Sequence, residues 1–185
     1  MITNIRPSTV QDLDRVMQLY NIARNFMRSQ GNYQQWINGY PSKAFIREEI
    51  AAGHSFVCEN ENGFIVATFC FIIGEDPTYR KIYDGEWLNE APYGTVHRMA
   101  SGGQEKGVAR CVFDWCFNRI SNVRVDTHRD NCVMQHILQS YGFKYCGIIY
   151  LADGSERLAY QKVQSSDYIG QCISKAQVPQ FPKRQ

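Results

Sequence analysis

The chain has 185 residues, 44% of them hydrophobic and 13% aromatic, which is material for one sizeable core and one domain. Twenty Lys and Arg side chains stand against eighteen Asp and Glu, a formal charge of +2 with no long basic cluster, so no electrostatic footprint for nucleic acid is present. Residues 1–6 lack an apolar signal region and no stretch approaches the roughly 18 apolar residues of a membrane span. The expectation is a soluble cytoplasmic protein with neither nucleic acid nor membrane as partner.

Cysteines stand at 58, 70, 111, 116, 132, 146 and 172, and none forms a Cys-x-x-Cys pair. That argues against a metal site or a disulfide framework and for reduced thiols filling core space.

Residues 2–6 form a short apolar segment ending at Pro7. Ser8 or Thr9 then caps a helix whose apolar positions are Val10, Leu13, Val16, Met17, Tyr20 and Ala23. A polar, aromatic connection comes next, and Ser42 caps a second helix stopped by Gly53. Residues 54–58 and 64–73 are rich in Val, Ile and Phe around the turn Glu59-Asn60-Glu61-Asn62-Gly63, the pattern of an antiparallel hairpin. Residues 74–92 break the regularity and read as an inserted loop or short helix over one face of the sheet.

Residues 93–100 return to strand character. The glycine-punctuated run 101–107 leads into a helix with Val108, Val112, Trp115 and Phe117 or Ile120 inward. Another strand covers 122–127, Asp130 or Asn131 caps a helix ended by Gly142, and a last hairpin turns at Ala152-Asp153-Gly154-Ser155. One domain over 1–163 is expected. Residues 164–185, with Pro179 and Pro182, read as a short helix and loose tail. The element order β α α β β β α β α β β describes an α+β fold around one mixed central sheet.

The run VHRMASGGQEKGVA, residues 96–109, carries the chemistry. It places Gly102, Gly103 and Gly107 between a strand and the first turn of a helix, where free amides and the helix dipole favour an anion and glycine admits a phosphate close to the main chain. A Walker loop is excluded because Lys106-Gly107 precedes Val108 where Ser or Thr is needed, and the glycine register does not fit a dinucleotide fingerprint.

Gln104-Glu105-Lys106-Gly107-Val108-Ala109 resembles the Gln/Arg-x-x-Gly-x-Gly/Ala signature of the GNAT superfamily of N-acetyltransferases. The strand-to-helix context agrees, and so does the later succession of strand, Asn131, helix and Gly142-Phe143 at the family's spacing. The resemblance covers residues 1 to about 163 and is strongest over 93–143. It implies a GNAT-like, mostly antiparallel sheet with splayed middle strands, helices on both faces, and acetyl-CoA as acyl donor. Main-chain groups near Met99 would pair with the donor's pantetheine arm. The amides of Glu105, Lys106, Gly107, Val108 and Ala109 would hold the pyrophosphate with Gln104 nearby, and Asn131 would contact the arm from the other side. No metal is implied.

The same resemblance implies direct attack of a neutral amine of a small molecule or peptide on the thioester. The family's usual acid is a tyrosine seven residues after the asparagine, a position held here by Leu138, with Tyr141 as a displaced substitute. His97, which by the period of two shares a strand face with Met99, suits a base because histidine ordinarily titrates near pH 6.5. Asp126 and His128 share a strand face and make a second base with an orienting partner. Aromatic residues Trp36, Tyr40, Tyr79, Tyr83 and Trp87, with Asp84, Glu86 and Glu90 nearby, form the expected pocket for a cationic amine. Homodimers are common among such proteins. Two competing readings stay open: a non-catalytic acyl-CoA-binding regulatory module that kept the loop and lost the chemistry, and a nucleotide-binding domain whose loop imitates the signature.

Overall fold

A computed structural model describes residues 1–164. The short helix and tail expected over 164–185 lie, from residue 165 onward, outside the described residues. Among the described residues seven strands form one sheet in the order β1-β2-β3-β4-β5-β7-β6. They are β1 (Ile2–Pro7), β2 (Ser55–Asn60), β3 (Ile65–Ile73), β4 (Gly94–Ser101), β5 (Asn122–Thr127), β6 (Lys144–Tyr150) and β7 (Glu156–Val163). Every pairing is antiparallel except β4 with β5. The architecture is the α+β mixed sheet that the order of sequence signals implies.

Four helices within the same residues cover both faces: α1 (Leu13–Ser29), α2 (Lys43–Ala51), α3 (Val108–Phe117) and α4 (Cys132–Tyr141). Local signals explain their ends. The Ser42 side chain accepts from the Phe45 N–H and Asn131 from the Met134 N–H, while Gly142 closes α4 at φ 94°. Before α1, Val10–Asp12 forms a 3-10 turn in which the Asp12 carboxylate accepts from the Thr9 N–H at 2.7 Å. That turn changes the rotation, so Val10 is exposed and Leu19 takes a core position instead.

Helices α1 and α2 pack on one face through Leu13, Val16, Leu19, Tyr20 and Ile46, against Val57 and Ala100. On the other face α3 and α4 bury Val112, Phe113, Cys116 and Leu138 against Phe69, Val96, Val123 and Val125. Trp115, expected inward, lies at the edge of this cluster with its ring 4.7 Å from that of Phe56. A third cluster seats the insert on the last hairpin: Tyr79, Trp87 and Tyr93 with Cys146, Ile149 and Ala159. The insert holds a 3-10 turn (Pro77–Tyr79) and pairs with β6 through a bridge between Tyr83 and Ile148. A Cβ added at Gly85 would lie 2.0 Å from the Cys146 carbonyl oxygen, and one at Gly147 2.5 Å from that of Tyr83. Only glycine permits so close a crossing of two backbones. Among the described residues no helix is long and apolar enough to cross a membrane.

Candidate active site

The parallel pair β4 and β5 is short. Gly94, Thr95 and Val96 pair with Val123, Arg124 and Val125, and the strands then separate. Beyond Val96 the edge of β4 facing β5 has unpaired main-chain groups, which is a place for an extended chain to bind. A bulge marks the separation: Cys70 pairs with His97 and Thr68 with Ala100, so one residue of β3 faces two of β4. Arg98 adopts φ 53°, a conformation that side-chain-bearing residues rarely take. The bulge overturns the expectation that His97 and Met99 share a face. Met99 packs with the α3 side of the core, while His97 meets Tyr79 and Asp76 on the opposite side.

A cavity of about 1390 Å³ runs through the gap. One end is main-chain. Gly103 and Gly107 take φ 78° and 74°, and the ladder of α3 starts with the Cys111 N–H donating to the Gly107 oxygen at 3.0 Å. The amides of residues 107–110 precede that ladder and stand at the positive end of the helix. Met99, Gly103, Glu105, Gly107, Val108, Ala109 and Asn131 line this end; Gln104 and Lys106 do not. The Glu105 carboxylate is drawn to the Met1 amino group at 2.9 Å and accepts from Asn60, which offsets its charge beside the loop. Asn131 caps α4 and donates from Nδ2 to the Gln35 side chain at 3.0 Å, so it ties the two sides of the cavity together.

The other end is made of side chains. His97 Nε2 lies 2.9 Å from Asp76 Oδ2 and its Nδ1 lies 3.7 Å from Asp126 Oδ1. Burial opposes ionisation of Asp76, but hydrogen bonds from His97 and Thr78 prevail and hold its carboxyl at about 2. As a carboxylate Asp76 only accepts, so Nε2 carries a ring proton and Nδ1 is the nitrogen turned toward Asp126. The fully buried Tyr79 donates to Asp126 Oδ1 at 2.6 Å, and burial together with Asp126 keeps that phenol protonated well above its ordinary range. Arg157 Nε approaches Asp126 Oδ2 at 3.8 Å. His128 sits next along the same face, its pKa lowered by burial and by Arg157.

The other expected site residues lie partly in the cavity lining and partly outside it. The Tyr141 hydroxyl donates to Asp114 at 2.5 Å and its ring packs among Phe113, Phe117 and Phe143, so the phenol is engaged away from the His97 cluster. Tyr141 lines the cavity, and burial and Asp114 raise its pKa, so the phenol stays protonated and is held by Asp114. Leu138 is wholly buried. Of the aromatic residues, Trp36 and Tyr40 line the cavity, and Tyr40 accepts from Arg98 Nε at 2.6 Å. Tyr83 instead meets Tyr150 edge to face outside the cavity. Trp87 stacks on Tyr79 and donates to its main-chain oxygen at 3.0 Å, so it supports the site from behind. Arg124 lies between the Trp87 and Tyr93 rings, 4.0 and 3.9 Å from their centroids, and fixes that support. Asp84, Glu86 and Glu90 are outside the lining, whose carboxylates are those of Asp76, Glu105, Asp126, Asp130 and Asp153. Not foreseen from the sequence are Asp76, Gln35 and Arg157. For Asp76 the local signal was Asp76-Pro77-Thr78, a cap in which Asp76 accepts from the Thr78 N–H at 2.9 Å.

A central sheet that splays beside an amide-lined helix start defines a class of acyl-transferring α+β proteins. No family model matches the chain, and no curated protein sequence matches it. Solved structures do. An acetyltransferase of the GNAT family from Streptococcus agalactiae superposes with a TM-score of 0.80 at 34% identity, covering 88% of this chain and 96% of that one. A GNAT-family acetyltransferase from Listeria monocytogenes gives 0.65 at 15% identity, covering 87% and 94%. The phosphinothricin acetyltransferase of Sinorhizobium meliloti, in complex with AcCoA, gives 0.59 at 13% identity, covering 88% and 89%. On the first of these the chain belongs to the GNAT family of acetyltransferases, and its fold supports acyl transfer.

Proposed function

We propose that the protein is an N-acetyltransferase that moves an acetyl group from acetyl-CoA to a primary amine. The observation that carries this reading is one continuous cavity with free helix-start amides at one end and, where β4 and β5 part, a histidine held between two carboxylates at the other. The S. meliloti relative bound to AcCoA supports the choice of donor.

The residues present fit acetyl-CoA. The amides before the α3 ladder suit a pyrophosphate, and the unpaired edge of β4 around Met99 suits the amide-bearing arm as an added strand. The donor supplies an acyl group already activated toward amines. This chain supplies orientation and proton transfer. Asp126, fixed by Tyr79, attracts the incoming ammonium, and His97 Nδ1 takes its proton while Asp76 steadies the imidazolium through Nε2. Main-chain N–H groups on the open β4 edge stabilise the charge that develops on the carbonyl oxygen. With Leu138 at the usual tyrosine position, the thiolate leaves without a dedicated acid, which its moderate basicity allows.

The test is release of free CoA thiol from acetyl-CoA across a panel of amines. Turnover in the native protein that is lost in His97→Ala supports the reading. Tight acetyl-CoA binding with no turnover on any amine would replace it with the acyl-CoA-binding module.

A further inference from the structure

Continuing the β5–β7 register from Asp126 opposite Ala159 and Thr127 opposite Leu158 puts His128 opposite Arg157, on the face that carries His97 and Asp126. The Arg157 side chain is 10% exposed and lines the cavity. Its Nη1 donates to the Glu156 main-chain oxygen at 2.8 Å, but its Nε stops 3.8 Å short of Asp126, beyond hydrogen-bond length. Asp126 Oδ1 is meanwhile taken by Tyr79. Among the described residues Nη2 has no partner. The guanidinium therefore faces the cavity with donors to spare beyond its ion pair with Asp126.

His128 points the same way chemically. Its Nδ1 accepts from the Asp130 N–H at 3.1 Å, so the neutral ring carries its proton on Nε2 and presents a second donor. It too lines the cavity. Asp126 stands between the two ends of this arrangement, with His97 3.7 Å from one oxygen and Arg157 3.8 Å from the other. An amine resting on Asp126 and His97 is therefore within one residue's reach of the guanidinium.

We propose that Arg157 and His128 form a carboxylate subsite and that the acceptor is a free amino acid, its α-amine over Asp126 and His97 and its α-carboxylate on Arg157. A simple alkylamine would leave the spare donors of Arg157 without an anion. A peptide N-terminus lacks the α-carboxylate altogether. This inference rests on the N-acetyltransferase reading and deepens it.

The experiment is calorimetric binding of the twenty N-acetyl amino acids and their primary amides to the CoA-loaded protein, so that turnover is not needed. At least one acid is expected to bind roughly 10- to 100-fold tighter than its own amide, the range for hydrogen bonds to charged groups. Arg157→Gln should erase that preference and leave CoA binding unchanged, and Arg157→Lys should keep part of it. Equal binding of acid and amide in the native protein overturns the proposal, as does an equal loss of both in Arg157→Gln. If CoA binds and none of the acids does, the carboxylate subsite is wrong while acyl transfer stands. If CoA itself fails to bind, the function proposed above falls and this inference with it.

Discussion

The two ends of the cavity are built from different material. At the helix-start end the groups offered to a ligand are backbone amides, and the side chains that matter are mostly absent ones, at Gly103 and Gly107. At the other end they are side chains brought from β4, β5, β7 and the insert: His97, Asp126, Arg157 and Asp76. Backbone geometry survives most substitutions, whereas a constellation of side chains changes with any of its members. A fold made this way keeps one donor chemistry and leaves acceptor choice open to change.

That division can be broken experimentally. The largest effect expected is His97→Ala, which should lower kcat by about 10²- to 10⁴-fold as loss of a general base does, with acetyl-CoA affinity unchanged in calorimetry. A parallel loss of donor affinity would show that the ends are not separable. Next is the pH dependence of stability. Asp76 titrates at about 2 when folded against 3.8 otherwise, so it contributes stability above the higher value that is lost as pH falls through the lower. The contribution is on the order of 2 kcal/mol, and Asp76→Asn should flatten that part of a urea-denaturation series run from pH 5 downward, to about pH 2. Gly107→Val should act on the opposite end. A side chain in the left-handed region costs about 1–2 kcal/mol, so acetyl-CoA should bind about 10-fold more weakly, with kcat at saturating donor within a few-fold of native. The smallest effect belongs to Tyr141→Phe: turnover within about 2-fold of native and a stability loss of about 1 kcal/mol from the lost bond to Asp114. A tenfold fall in turnover would restore Tyr141 as the acid.

The same division explains what could be read from the sequence. The helix-start end is local, since Gln104 to Ala109 lie between a strand and a helix in consecutive residues, and the caps at Ser42, Asn131 and Gly142 act within one turn. Such features are written in short spacings. The order of strands and helices was legible for the same reason. The bulge at Arg98 was not, because nothing in Val96-His97-Arg98-Met99 marks a break in the period of two; it arises from pairing with β3, some thirty residues earlier. Nor was the His97 cluster, which depends on Asp76 and Tyr79 reaching across from the insert. Of the carboxylates in the insert, Asp84, Glu86 and Glu90 stand outside the cavity and Asp76 inside, a difference set by how the insert folds and not by composition.

The crossing of Gly85 over Gly147 sets a rule for recombination. Each position is filled to the backbone by the other segment, and main-chain oxygens cannot turn aside as a side-chain tip can. The insert that places Asp76 and Tyr79 is therefore heritable only together with the glycine on β6. Transplanting residues 74–92 into a related protein without it would import the sequence of this part of the cavity wall and lose its position.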